Sequence, residues 1–256
     1  MIKLENVCKT YHSQRGEEIE ALTGVSLEIG DREFVTVVGP SGCGKSTLLK
    51  MIVGLMPLSA GAIYFDGTLV KGPRVDVGMV FQSPVLLLWR DIIHNVLFPI
   101  EILNRKERDY RAEARALLEL VGLKGFEDRM PWELSGGMQQ RVAICRALIH
   151  DPNVLIMDEP FGALDAMTRE EMGAELLRIW QERRKTVIFV THSIQEAIWL
   201  GDRVVVMTPR PGKVAKVIQV NLPRPRTLDM HYLPEFEKHA GEIRELVFKK
   251  NERRTG

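Results

Sequence analysis

The chain has 256 residues, 45% hydrophobic and 27% charged, and its 35 Lys+Arg against 34 Asp+Glu leave a formal charge of +1. That length carries one large domain, or a core domain with a smaller lobe, with enough apolar residues to bury a core. The charge balance excludes a strongly basic nucleic-acid footprint as a bulk property, and no apolar stretch approaches the roughly 20 residues needed to cross a bilayer.

The charged start MIKLENVCK lacks a signal-peptide apolar region. Cys8, Cys43 and Cys145 form no CxxC pair and are too scattered for a disulfide framework, so they read as structural thiols in a reducing compartment. Tyr11, in KTYH, reads on its own as an exposed aromatic near a first strand, just before the loop from Ser13 to Glu17. The segment ALTGVSLEIGDREFVTVVGPSGCGKSTLLKMIVGL predicts strand, strand, loop, helix: alternation first, then an apolar run ending in glycine, then a helical pattern.

Within it, Gly39, Pro40, Ser41, Gly42, Cys43, Gly44, Lys45 and Ser46 match GxxxxGK[ST] in full, between the strand FVTVV and a helix opening at Ser46. Average residue usage produces such a match in about one chain in a hundred of this length, before context is counted. Glycines let successive backbone N–H groups turn inward around phosphate oxygens, and the following helix adds about half a positive charge at its N-terminus. Lys45 would reach the β- and γ-phosphates of a nucleotide, and the Ser46 hydroxyl would ligate Mg²⁺.

Gln82 follows the apolar run VGMVF, where a neutral amide could touch Mg²⁺ or water without adding charge. From Pro84 to about His150 the strand signal fades, and Tyr110, Ala114, Leu117, Leu118 and Val121 mark one face of a helix, so a helical lobe interrupts the α/β core. Near its end LSGGMQQR sets Ser135, Gly136 and Gly137 directly before a helix, a second place that would suit an anion. NVLIMDEP reads as a strand delivering Asp158 toward Mg²⁺, with Glu159 beside it to take a proton from attacking water. Asp165 precedes a helical stretch and is a good N-cap. KTVIFVTH reads as another strand buried on both faces, ending at His192, which could hydrogen-bond the γ-phosphate or the water. The stretch PEFEKHAGEIRELVFKKNERR reads as a charged helical tail with a solvated face.

With these residues in place, the chain closely resembles the nucleotide-binding subunit of an ATP-binding cassette transporter over about residues 1 to 220. Tyr11 stands where that family stacks adenine, and Gly39 through Thr47 stand at its Walker A loop. Gln82 in VFQ stands at the Q-loop and LSGGMQQR at the signature. LIMDEP is similar to the Walker B strand, GALD with Asp165 to the D-loop, and Thr191-His192 to the switch-histidine motif, all in family order. The resemblance implies an α/β fold: a P-loop NTPase core with a mixed, mainly parallel sheet, an antiparallel N-terminal β subdomain and an inserted α-helical subdomain at about 85–150. Residues 221–256 would form a C-terminal helical appendage.

It also implies an ATPase using ATP and Mg²⁺, peripheral to the cytoplasmic face of the membrane. A second copy would complete an ATP sandwich, integral membrane permease subunits would dock, and a periplasmic or extracellular solute-binding protein would act indirectly. The text around VFQSPVLLLWRDIIHNVLFPIEI, PFGALDAMTREEM and VVVMTPRPGKV looks like the bacterial importer group for nitrate, sulfonates and taurine. Leu88 departs from it, since relatives usually carry proline before the tryptophan, in a segment expected to face the membrane subunit. Rival readings are a cassette carrying lipid or a vitamin precursor, a non-transport cassette acting on nucleic acid or ribosomes, and a small-molecule kinase. No nucleic-acid partner is expected, because one cassette without a coiled-coil insertion is unlike the DNA- and ribosome-directed members.

Overall fold

Parallel strands joined through helices need both faces of the sheet covered, and the short Val- and Ile-rich runs of this sequence supply strands of that kind. The structure, a computed structural model, describes residues 1–12, 16–162 and 164–248. Ser13 of the loop beyond Tyr11, Ala163 of GALD and the last residues of the tail lie outside the described residues. The chain divides into two compact units, one of Met1–Arg74 with the chain from Arg184 onward, the other Val75–Arg183.

The first unit contains two groups of strands. β1 (Ile2–His12), β2 (Glu18–Ile29), β4 (Ala60–Phe65) and β5 (Thr68–Leu69) form an antiparallel sheet in the order β2-β1-β4-β5. β3 (Phe34–Val38) lies between β8 (Thr186–Val190) and β9 (Arg203–Met207), parallel to both, and β10 (Val214–Gln219) adds to β9 antiparallel. All five residues of β3 and of β8 are buried, and the Phe34 and Phe189 rings lie 6.1 Å apart. Thr36 is the polar exception, and its hydroxyl donates to the Ala197 carbonyl at 3.0 Å, so the group is buried but satisfied.

α1 (Lys45–Ile52) follows β3, and α6 (Ile194–Leu200) packs on β3. α7 (Pro234–Phe248) packs on α6, β9 and β10. The tail read as a charged appendage thus has a buried side: Phe236, Ala240, Ile243 and Val247 repeat at helical spacing and are removed from water. His231 links it to α6, with ring centroids 5.7 Å from Trp199 and 4.7 Å from Phe236.

Two arginines of NLPRPRTL close the end of α6. Arg226, 6% exposed, donates to the carbonyls of Ile198 at 2.8 Å, Trp199 at 3.0 Å and Gly201 at 2.5 Å. Arg224 donates to the Leu200 carbonyl at 2.8 Å and to Asp202 Oδ1 at 2.7 Å, while Asp202 Oδ2 accepts from the Phe34 N–H at 2.9 Å. The last carbonyls of a helix have no intrahelical donors, and a cation there also suits the helix dipole. Burial, reinforced by the neighbouring Arg224 charge, pulls Arg226 down to about 10, which leaves it cationic at neutral pH.

In the second unit β6 (Val77–Val80) pairs in parallel with β7 (Val154–Asp158), and the helices are α2 (Ile92–Ile102), α3 (Arg111–Leu120), α4 (Gly136–Leu148) and α5 (Ala166–Arg183). α2 packs on α3 and α4, and α4 packs on β6. The periodic face expected on α3 is buried at Ala114, Leu117, Leu118 and Val121.

Arg226→Met would keep most of the side-chain volume but leave the α6 carbonyls without their donor. We expect a loss of about 2–4 kcal/mol, since each orphaned buried carbonyl costs about 1–3 kcal/mol. Urea unfolding should show a lowered midpoint with an unchanged slope, and an unchanged midpoint would mean that water replaces the guanidinium without loss.

Candidate functional site

β3 ends at Val38, and the chain then turns through Gly39–Gly44 into α1. Gly42 and Gly44 have φ +73° and +99°, a left-handed backbone that a side chain would strain. At Gly44 space is tight as well: a Cβ there would lie 2.7 Å from Leu22 Cδ2 and 3.1 Å from the Ala21 carbonyl oxygen. Gly44 is also the N-cap of α1 and offers no side-chain acceptor, so no cap side chain answers the first N–H groups of that helix. Lys45, 4% exposed, donates from Nζ to the carbonyls of Gly39 at 2.9 Å and Pro40 at 3.2 Å. A buried ammonium held by neutral carbonyls, beside helix N–H groups, is a cradle suited to polyphosphate.

Ser46 and Thr47 follow in α1, both half-buried. The Tyr11 hydroxyl lies 3.1 Å from Thr47 Oγ1 and 3.2 Å from Met56 Sδ, which sets the half-exposed Tyr11 ring beside the end of the loop. β8 runs parallel to β3 with Val190 opposite Val37, and the Thr191 N–H donates to the Val37 carbonyl at 3.2 Å. His192 therefore leaves the sheet at the same edge as Gly39 and is exposed. Thr191 Oγ1 donates to Glu196 and accepts from the Ser193 N–H at 2.9 Å, and Ser193 caps α6, so the backbone on both sides of His192 is anchored.

In the second unit the parallel pairing of β6 and β7 brings their carboxyl ends to one edge. Gln82 lies just past β6, Asp158 ends β7 and is 8% exposed, and Glu159 follows it. Gln82 Nε2 donates to Glu159 Oε2 through a long contact of 3.5 Å. Glu159 has φ +48°, a conformation that costs a non-glycine residue about 1–3 kcal/mol.

Asp165 caps α5, accepting from the Thr168 N–H at 3.0 Å and the Thr168 hydroxyl at 2.8 Å. Those hydrogen bonds, the backbone N–H first, hold its carboxyl below the usual range. Ser135 caps α4, accepting from the Met138 N–H at 3.3 Å, and both Ser135 and Gly136 are exposed. The second phosphate-like turn is thus a capped helix N-terminus open to solvent, with Gly137 in its first turn.

The structure adds residues that sequence reasoning passed over. Gln140, 3% exposed, donates to the Phe81 carbonyl at 3.1 Å, and Arg146 donates to the carbonyls of Pro84 at 2.7 Å and Val85 at 2.8 Å. Fully buried Asn95 accepts from the Leu87 N–H at 2.7 Å and donates to the carbonyls of Leu87, Arg90 and Asp91. These side chains tie the chain on both sides of Gln82 to α4 and α2. A signal existed in the sequence, since Asn95 and Gln140 interrupt otherwise apolar helix faces, but their partners could not be read there. Val85 has φ +46°, a strained state for a β-branched residue, and Arg146 grips the carbonyl on either side of it. Just beyond, Leu88 and Trp89 are 58% and 75% exposed beside a groove lined by Arg90, Asp91 and His94.

Residues 22–162 match the family described as ABC transporter. The chain is 49% identical over 225 residues to an uncharacterized ABC transporter ATP-binding protein of Methanocaldococcus jannaschii, covering 88% of this chain and 84% of that one. It is 45% identical over 252 residues to a taurine import ATP-binding protein of Rhizobium johnstonii, covering 96% of each. Among solved structures it is similar to the dimeric cassette MJ0796, with TM-score 0.78, 36% identity, and coverage of 87% of this chain and 100% of that one. A dimeric post-hydrolysis state of the same cassette, bound to ADP and Pi, matches with TM-score 0.77.

The Arg146 clamp has a direct consequence. Arg146→Ala removes both donors that hold Val85 in its left-handed state, so hydrogen exchange of the amides of residues 82–90 should accelerate at least about tenfold, the equivalent of one lost charge-assisted hydrogen bond. The core of α2 should keep its protection. Unaltered exchange in the segment would show that Asn95 and Gln140 suffice without the guanidinium.

Proposed function

We propose that this chain, which belongs to the ABC transporter family and is an ATPase of that family, energises import of a small taurine-like, sulfonate or nitrate solute. The observation that carries the ATPase chemistry is the buried Lys45 ammonium inside a glycine loop, with Tyr11 and His192 at the same edge of the unit. The solute class rests on the likeness to a taurine import protein along nearly the whole of both chains.

Each residue then has a role. Lys45 and N–H groups from Gly44 to Thr47, at the head of α1, offset phosphate charge as the ATP seats, and Tyr11 offers a half-exposed ring for the base. Glu159 accepts the proton of the attacking water, Gln82 steadies that carboxylate, and His192 donates a hydrogen bond toward the transferred phosphate. Asp158 and Gln82 in the second unit and Ser46 in the first each present a hard oxygen of the kind Mg²⁺ takes, and the Gln82 contact to Glu159 leaves its amide oxygen available. When bound, Mg²⁺ would neutralise charge on the phosphate oxygens.

The exposed Ser135 and Gly136, with the half-buried Gly137 behind them at the head of α4, serve a second copy. In a head-to-tail pair they donate to the γ-phosphate held by the partner's loop, and Asp165 stiffens the approach as an ionised cap. Closure then depends on ATP, because those donors need the anion to complete them. Among the described residues no helix is long and apolar enough to cross a membrane. Attachment to the cytoplasmic face would come through permease subunits, docking at the exposed Leu88 and Trp89 segment, with solute choice made by a separate binding protein.

Lys45→Ala should weaken equilibrium ATP binding about ten- to hundredfold, the range of one or two charge-assisted hydrogen bonds, and a titration with unchanged affinity would remove the loop from the site. Glu159→Gln should bind ATP, lose nearly all turnover and sediment as a dimer with ATP. Adding Ser135→Arg to that variant should return it to the monomer with ATP still bound. Normal hydrolysis by Glu159→Gln, or dimers that survive Ser135→Arg, would contradict these roles.

A further inference from the structure

The turn joining β9 to β10, Thr208–Lys213, is closed on itself. Thr208 N–H donates to the Lys213 carbonyl at 2.9 Å, Lys213 N–H to Thr208 Oγ1 at 3.0 Å, and the Thr208 hydroxyl to the Pro211 carbonyl at 3.2 Å. It is fastened to β2 as well, with Gly212 N–H donating to the Ala21 carbonyl at 2.9 Å and Thr23 N–H to the Gly212 carbonyl at 3.1 Å. So anchored, the turn meets the back of the phosphate loop twice. Arg210 donates from Nε and from one terminal nitrogen to the Gly42 carbonyl, each at 3.3 Å. Gly212 approaches so closely that a Cβ there would lie 2.0 Å from the Cys43 carbonyl oxygen and 2.9 Å from Leu22 Cδ2. Met207, at the end of β9, closes another side: a Cβ on Gly39 would lie 3.1 Å from its backbone oxygen.

We propose that this turn is a brace that holds the phosphate loop in its nucleotide-ready shape, with Arg210 and Gly212 as positioning residues that set ATP affinity. The loop needs one, because glycines at 39, 42 and 44 give its backbone more freedom than any other residue would. A peptide unit is planar and trans, so its C=O and N–H point in opposite directions. Holding the Gly42 carbonyl toward Arg210 therefore fixes the Cys43 N–H on the other side of the same peptide, which donates to the Pro40 carbonyl at 3.3 Å and closes the turn of the loop. The two-pronged guanidinium does this better than a point charge, since it presents two donors in a rigid fork. Gly212 acts by absence: its φ is not in the left-handed region, and only a missing side chain lets the turn reach the Cys43 carbonyl. An ordered loop lowers the ordering cost that nucleotide binding must offset.

The inference rests on the reading that Gly39–Thr47 binds ATP, and the test separates the two. Equilibrium titration of ATP, KM and kcat for hydrolysis, urea unfolding, and hydrogen exchange of the nucleotide-free protein would be compared for wild type, Arg210→Ala, Arg210→Lys and Gly212→Ala. Arg210→Ala should raise Kd and KM for ATP about three- to tenfold, the worth of an exposed charge-assisted hydrogen bond, with kcat at saturating ATP and the urea midpoint unchanged. Arg210→Lys should recover only part of that loss. Gly212→Ala should raise Kd more than tenfold, and in all three variants the amides of Gly42–Lys45 should exchange faster before any nucleotide is added. Wild-type protein that does not bind ATP would overturn the ATP reading itself. With wild type binding normally, the brace is overturned by unchanged loop exchange and Kd in Arg210→Ala and Gly212→Ala. Full recovery by Arg210→Lys would also overturn it, since charge alone would then suffice, as would a fall in the urea midpoint of Arg210→Ala that matches the lost affinity.

Discussion

The parallel pairing of β3 on both of its edges is the constraint on which the first unit depends. Each N–H and C=O of Phe34–Val38 faces a neighbouring strand or a side chain placed to answer it, and both faces are covered, so the strand offers polar chemistry only where it stops. Gly39 and Thr191-His192 leave from adjacent strands at that edge. The arrangement recurs in the second unit, where β6 and β7 run in parallel and release Gln82 and the Asp158-Glu159 pair side by side. Carboxyl ends of parallel strands gather ligands because the loops there are the first part of the chain free to turn toward one.

The loops that follow carry carbonyls with no ladder or helix to receive them. This protein answers them with long or buried polar side chains rather than with more secondary structure. Arg226 and Arg224 satisfy the end of α6, and Arg146, Asn95 and Gln140 satisfy residues 81–91. A buried carbonyl left without a donor costs about 1–3 kcal/mol, comparable to a sizeable share of the net stability of a domain. Such residues therefore fix the course of these loops.

Backbone strain sorts the loops further. Where a left-handed residue needs no side chain, as at Gly42 and Gly44, glycine takes the position without penalty. Glu159 and Val85 adopt similar φ values with side chains attached, at about 1–3 kcal/mol each. At Glu159 glycine would relieve the backbone but would also remove the carboxylate that accepts from Gln82. At Val85 the Arg146 clamp supplies the stabilisation that keeps the conformation populated.

What the sequence by itself determined is whatever local geometry dictates. The glycine loop between strand and helix, the Val- and Ile-rich strands, the apolar face of α3, the helix start at LSGG and the capping position of Asp165 all follow from periodicity and from short-range hydrogen bonding, and each is found where the pattern puts it. The charged spacing of PEFEKHAGEIRELVF suggested a solvated appendage, yet every third or fourth residue of it is buried against α6, β9 and β10. Only tertiary structure decided which elements cover that face, just as it decided that Arg210 meets Gly42, that Arg146 meets Pro84 and Val85, and that Tyr11 meets Thr47. Periodicity is a property of a few successive residues, whereas a guanidinium finds its acceptor among carbonyls that distant chain reversals leave unpaired. Those carbonyls exist as partners only once the chain has folded.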